Sequence, residues 1–161
     1  MTSSHASFQY VTDDFTGYNV LVTGASGVLG SGVAQALRDA GAQVTVLQRS
    51  ASGLDGVHEI RGSVTDPETA HHAVQGMDTV VHIAAKVSVS GSAKEYEQVN
   101  IEGTRTLLTA AQTTGVSRWI HISSPSVAHS GASIIGAEAE PANPDTARGN
   151  YAATKAAGEL L

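Results

Sequence analysis

Tyr151 and Lys155 stand four residues apart near the end of the chain, a spacing that puts two side chains on one face of a helix about one turn apart. A tyrosine is a poor base at neutral pH, because its reference pKa is about 10. A nearby ammonium favours the phenolate, so Tyr151 could take a proton from an alcohol or give one to a ketone. In isolation such a pair is more often an exposed surface couple. Two serines upstream add a second element: the hydroxyl of Ser124, or of its rival Ser123, could hold an oxygen on which charge changes during reaction. Their bland alternative is that they end a strand and bond to backbone. The same serines with His129 could suggest a hydrolase, but neither lies in the glycine pattern of a nucleophile elbow.

Gly24, Gly27 and Gly30 form the second cluster. They follow the β-rich run Val20 to Val22 and lead into a helical pattern, so the free N–H groups of a helix N-terminus face whatever sits above the turn. A pyrophosphate fits there. Gly24 allows the tight turn, Gly27 the approach of the anion, and Gly30 the packing of helix on strand. A dinucleotide site selecting the unphosphorylated cofactor usually carries an acid at the end of the second strand, whereas here that strand ends in Gln48, Arg49 and Ser50. A guanidinium can pair with a 2′-phosphate, which favours NADP over NAD; the alternative is a solvated arginine at a strand end.

The elements that must position these groups alternate. Strands are expected at 20–22, 44–47, 57–61, 80–85 and 119–123. Helices are expected at 28–40 (Val33, Ala36, Leu37 and Ala40 inward, Gly41 as stop), 68–75, 94–114 (ending at Gly115) and from Tyr151 onward. Asp66 before Pro67 reads either as a helix cap or as an acceptor for an adenine amino group. A polar loop spans 126–150, and 1–18 is a polar lead-in with scattered aromatics. Strands alternating with helices imply an α/β doubly wound parallel sheet, a three-layer Rossmann-like arrangement over 19–161. The last helix carries little apolar material, so the fold is expected to be incomplete at its C-terminus. His82 reads as a core histidine bonded to backbone, His71 and His72 as surface residues, and Asn100 as a support.

Composition narrows the classes further. The 161 residues carry 9 Lys and Arg against 15 Asp and Glu, a formal charge of −6, which argues against nucleic acid as a partner. With no cysteine there is no disulfide or thiolate chemistry, and the chain fits a cytoplasmic setting. No apolar run is long enough for a membrane span, and no spacing of His, Asp and Glu suggests a metal site.

Taken together, TGASGVLG at 23–30, Gly62 to Asp66, HIAA at 82–85, Asn100-x-x-Gly103-Thr104, ISS at 122–124 and YAATK at 151–155 resemble the ordered motifs of extended short-chain dehydrogenases/reductases. The resemblance is looser to the 3β-hydroxysteroid dehydrogenase and dihydroflavonol reductase groups, and it covers about 19–161. It implies a catalytic Ser124, Tyr151 and Lys155, with Ser124 preferred over Ser123 because two residues and a valine follow it. It further implies cofactor contacts from Gly24, Ser26, Gly27, Val28, Leu29, Gly30, Arg49, Ser50, Asp66, Ala84, Ala85 and Lys155, the last holding the nicotinamide ribose hydroxyls. The implied activity is hydride transfer between NADP or NAD and a hydrophobic secondary alcohol or ketone. A sugar-nucleotide epimerase or dehydratase would use the same residues, and an inactive dinucleotide-binding fragment or sensor is the third reading. Family members extend to roughly twice this length with a C-terminal substrate lobe, which this chain is expected to lack. Members pair through helices matching 94–114 and the one after Tyr151, so a homodimer is an arrangement the resemblance allows.

Overall fold

The computed structural model describes residues 14–88, 90–128 and 141–161. Five parallel strands form one sheet: β1 (Asn19–Thr23), β2 (Gln43–Gln48), β3 (His58–Arg61), β4 (Thr79–His82) and β5 (Arg118–His121). Their order across the sheet is β3-β2-β1-β4-β5, so the direction of winding reverses between β1 and β4. Helices α1 (Val28–Asp39), α2 (Pro67–Val74), α3 (Ala93–Glu97), α4 (Thr104–Thr114) and α5 (Gly149–Glu159) complete the α/β arrangement.

The central strands read as apolar runs because both faces of the sheet are covered. Leu21, Leu47 and Val80 point to one face, where they pack with Ala70, Val74 and Leu107 of α2 and α4. Val20, Val22, Val44, Val46 and Val81 point to the other, against Ala34 and Leu37 of α1. The inward face of α1 differs in one place from the periodicity: Ala34 is buried and Ala36 exposed, because Gly30 and Ala34 form the line closest to the sheet. Gly41 (φ 94°) and Gly115 (φ 81°) end α1 and α4 in the left-handed region, as glycine permits.

The segment expected as one helix over 94–114 contains a break in helical type. Ser92 caps α3 through a reciprocal capping box with Glu95. A π-helical turn, Gln98–Gly103, then joins α3 to α4. It coincides with Asn100, whose carbonyl accepts from the Thr104 hydroxyl at 2.9 Å. β4 is also shorter than its apolar run: after His82 the chain leaves the sheet, and Ile83 to Ala85 line a cleft instead. Within the lead-in, Phe15 meets Tyr18 edge-on at 6.1 Å and packs against the α1-side core. Phe8, Tyr10 and, within the loop over 126–150, His129 and the rest of 129–140 lie outside the described residues.

Candidate active site

A cleft of about 430 Å³ opens at the C-terminal ends of the strands, over the point where the winding reverses. On one side it is lined by Gly24, Ser26, Gly27, Val28, Leu29 and Gly30, the turn between β1 and α1, with Arg49 at the end of β2. On the other side stand Ala84 and Ala85 after β4, and Tyr151 and Lys155 on α5. The structure therefore brings the glycine turn and the Tyr-Lys pair to one space.

The glycines are held there by contact. A Cβ on Gly24, whose φ is 75°, would lie 2.9 Å from the Ala84 nitrogen, where the ends of β1 and β4 converge. A Cβ on Gly30 would overlap the Gly24 carbonyl oxygen, so this glycine lets α1 close onto the turn. Helix α1 has Gly27 as its N-cap residue, with no side-chain cap and no acid in its first turn, which leaves its N–H groups to an anion. At the end of β2, Gln48 is buried; its Nε2 donates to Glu59 at 3.1 Å while its Oε1 has no partner among the described residues. An orphaned acceptor in a cleft with a glycine cradle fits a dinucleotide carrying ribose hydroxyls. Glu59 is itself fixed by the Ser52 N–H and hydroxyl, both at 2.7 Å, and by Arg61, which together hold its carboxyl down to about 2.

Three expected residues do not line this cleft. Ser50 is exposed on the loop after β2. Asp66 uses its carboxylate to cap α2, accepting from the Thr69 N–H at 3.1 Å and from the Thr69 hydroxyl, and these bonds lower its pKa. Of its two readings the cap is the one the geometry realises, while Gly62, Ser63 and Val64 approach the cleft in its place. Ser124 pairs with Ser126 at 2.8 Å on the 3₁₀ turn Pro125–Ala128, and it is Ser123 that faces the cleft, its hydroxyl donating to the Glu159 carboxylate. The sequence assigned no site role to Gln48, Gly62, Ile83 or Ile122, and it placed Ser123 second to Ser124. Each sits at or just beyond the C-terminal end of a parallel strand, the position where such sheets bind ligands.

Beneath the cleft lies a chain of hydroxyls and imidazoles. The Thr23 Oγ1 accepts from the N–H groups of Ile83 and Ala84, both at 3.0 Å, so its own proton goes to His82 Nδ1 at 2.9 Å. Thr104 donates to Asn100, so it accepts from His82 Nε2–H at 3.0 Å. This fixes a neutral His82 bonded to two threonines rather than to backbone as expected. Burial first, then His121 and Lys155, push its pKa down to about 3. Asn100 ties Lys86 to α5: its Oδ1 accepts from the Lys86 N–H at 2.7 Å, and its Nδ2 donates to Thr154 at 3.1 Å. Lys155 is only 3% exposed, and its Nζ donates to the Ile122 carbonyl at 2.7 Å and to His121 Nε2 at 3.1 Å. Burial lowers the lysine's pKa, and the Glu159 carboxylate partly opposes it. Among the described residues no group of three or more His, Asp or Glu is placed to hold a metal ion.

A parallel sheet with a glycine turn at its switch point and a tyrosine-lysine helix across the cleft is a Rossmann-type arrangement, of the kind seen in the short-chain dehydrogenase/reductase superfamily. Comparison with known proteins makes this specific. Residues 20–161 match the model of the NAD dependent epimerase/dehydratase family, and the chain belongs to that family. Over 146 residues it is 38% identical to 2-alkyl-3-oxoalkanoate reductase of Stenotrophomonas maltophilia, covering 87% of this chain and 44% of that protein. Over 150 residues it is 35% identical to 3 beta-hydroxysteroid dehydrogenase/Delta 5→4-isomerase of Mycobacterium tuberculosis, covering 87% and 40%. A crystal structure of a short-chain dehydrogenase/reductase superfamily protein from Agrobacterium tumefaciens with bound NAD superposes with a TM-score of 0.80 at 33% identity, covering 89% of this chain and 43% of that one. The chain thus spans less than half the length of these relatives. No helix among the described residues is long and apolar enough to cross a membrane.

Proposed function

We propose that residues 19–161 are the dinucleotide-binding, proton-transferring domain of an oxidoreductase that interconverts a secondary alcohol and a ketone. The observation that carries the reading is that Tyr151 and buried Lys155 line the same cleft as the Gly24 to Gly30 turn. When bound, a nicotinamide dinucleotide supplies the hydride chemistry. The chain's own groups do the rest. The first turn of α1 would take the pyrophosphate, Ala84 and Ala85 would wall the cofactor on the β4 side, and Lys155 would hold ribose hydroxyls. Tyr151 would pass a proton to or from the substrate oxygen. Arg49 at the cleft mouth would meet a 2′-phosphate, so NADP is favoured over NAD, while the orphaned Gln48 Oε1 behind it would accept from a ribose hydroxyl. A hydrophobic carbonyl compound agrees with the reductase and steroid dehydrogenase relatives.

A second reading, transient oxidation within a sugar-nucleotide epimerase or dehydratase, draws on the matched family's own description. A panel of ketones with NADPH or NADH, followed at the absorbance of the reduced nicotinamide, separates the two. Ketone-dependent oxidation that falls by about a hundredfold or more in Tyr151→Phe is the expected result, the loss of a general acid. A cofactor that binds, stays bound and shows no net turnover with any ketone would favour the epimerase reading instead.

A further inference from the structure

An ammonium has three N–H donors and no acceptor, so a lysine buried as deeply as Lys155 has three directions to account for. No carboxylate lies within ion-pair distance of it among the described residues. One donor goes to the Ile122 carbonyl and one to His121 Nε2, both on β5 or just past its end. We infer that His121 is a positioning residue for Lys155: together with the Ile122 carbonyl it fixes the ammonium so that its third N–H points into the cleft. The ammonium turns about its covalent Cε–Nζ bond, and a second acceptor holds that torsion more firmly in one well. Two acceptors determine where the third donor lies. The inference rests on the dinucleotide reading above for what that donor would meet, a ribose hydroxyl, but the pairing itself is visible without a ligand.

The arrangement requires a neutral imidazole with its proton on Nδ1, since Nε2 accepts. The groups facing His121 agree with this. From α5 come Lys155 and the Glu159 carboxylate, and from β4 comes the His82 ring, 5.6 Å away. Burial and the Lys155 charge keep the imidazole neutral down to about 4, with Glu159 acting in the opposite direction. The Ser123 hydroxyl occupies Glu159, which keeps that carboxylate beside the pair rather than on the ammonium.

The test uses His121→Phe, which keeps a ring and loses the acceptor, and His121→Gln, which keeps an acceptor. Each is made alone and in a Lys155→Met background. Titration calorimetry with NADPH and NADH should show His121→Phe binding about fivefold to tenfold more weakly, the size of a charge-assisted hydrogen bond misdirected rather than removed. His121→Gln should return to within about twofold of wild type, and His121→Phe should add nothing once Lys155 is methionine. Independently of any ligand, the His121 ring should titrate near 4 by NMR, and Lys155→Met should raise that value. Three results overturn the inference: His121→Phe binding like wild type, an equal loss in the Lys155→Met background, or an imidazole titration that ignores Lys155→Met. A wild-type chain that binds neither dinucleotide overturns the cofactor reading instead, and the NMR titration then decides the His121–Lys155 pairing by itself.

Discussion

A histidine that must stay neutral in the fold makes stability depend on acid. His82 receives a proton from Thr23 at Nδ1 and gives one to Thr104 from Nε2, so protonation would leave two donors facing each other under the cleft. The folded protein holds His82 to about 3 and His121 to about 4, whereas the unfolded chain binds these protons near 6.5. Between those values the unfolded state carries more protons, so stability is complete above about pH 6.5 and is lost as pH falls toward 4 and then 3. For His82, which is 1% exposed, the loss is on the order of a few kcal/mol. Urea unfolding midpoints measured from pH 7 down to pH 4.5 should fall steadily, and less steeply in His82→Gln; a midpoint indifferent to pH over this range would contradict the network. The two serines also separate at this scale. If Ser124 holds the substrate oxygen, as its motif position implies, Ser124→Ala should lower kcat at least about tenfold more than Ser123→Ala, because a lost transition-state donor costs about a hundredfold or more. The reverse order would assign the role to the serine that the cleft exposes.

Elements were more legible in the sequence than partners. The buried strands announce themselves as runs such as Val20 to Val22 because both faces of the sheet are covered, and Gly41 and Gly115 mark the helix ends they occupy. The π turn left no such mark. At that turn the Thr104 hydroxyl meets the Asn100 carbonyl and α5 lies close behind, and periodicity reports neither contact. In the same way, spacing put Tyr151 and Lys155 on one helix face but said nothing of His121 or Ile122, which reach Lys155 from an element more than thirty residues away in sequence. Asp66 was open between two roles because a capping carboxylate and a ligand-binding one have the same residue type at the same place. The closeness of α5 to the π turn has a measurable consequence. A Cβ on Gly158 would lie 2.5 Å from the Asn100 carbonyl oxygen, so Gly158→Ala must push α5 away from the segment that Asn100 ties to Lys86 and Thr154. Despite the better helix propensity of alanine, we expect a net destabilisation of about 1–3 kcal/mol by denaturant titration, the usual cost of overpacking. A neutral or stabilising result would mean that the helix moves freely on this surface.

At the scale of the molecule, the winding reverses between β1 and β4, and the candidate site draws on both sides of that line. The glycine turn and the end of β2 lie on one side; Ile83 to Ala85, Ile122 and α5 lie on the other. The two sides meet where Gly24 faces Ala84 and where Thr23 holds the start of the segment after β4. A ligand filling the whole cleft therefore acts as a strap across the sheet, whereas one confined to the β2 side does not. Hundredfold excess over Kd stabilises the folded state by about 2.7 kcal/mol, which for a domain of this size raises the melting temperature by several degrees. Hydrogen exchange then distinguishes the geometries: NADPH or NADH should slow amide exchange both in 24–31 and in 83–86 and 151–156, while AMP, which has only the adenosine end, should protect the first region alone. Protection by the full dinucleotide confined to the glycine turn and β2 would detach Tyr151 and Lys155 from the cofactor, and with them the proposed route for the proton.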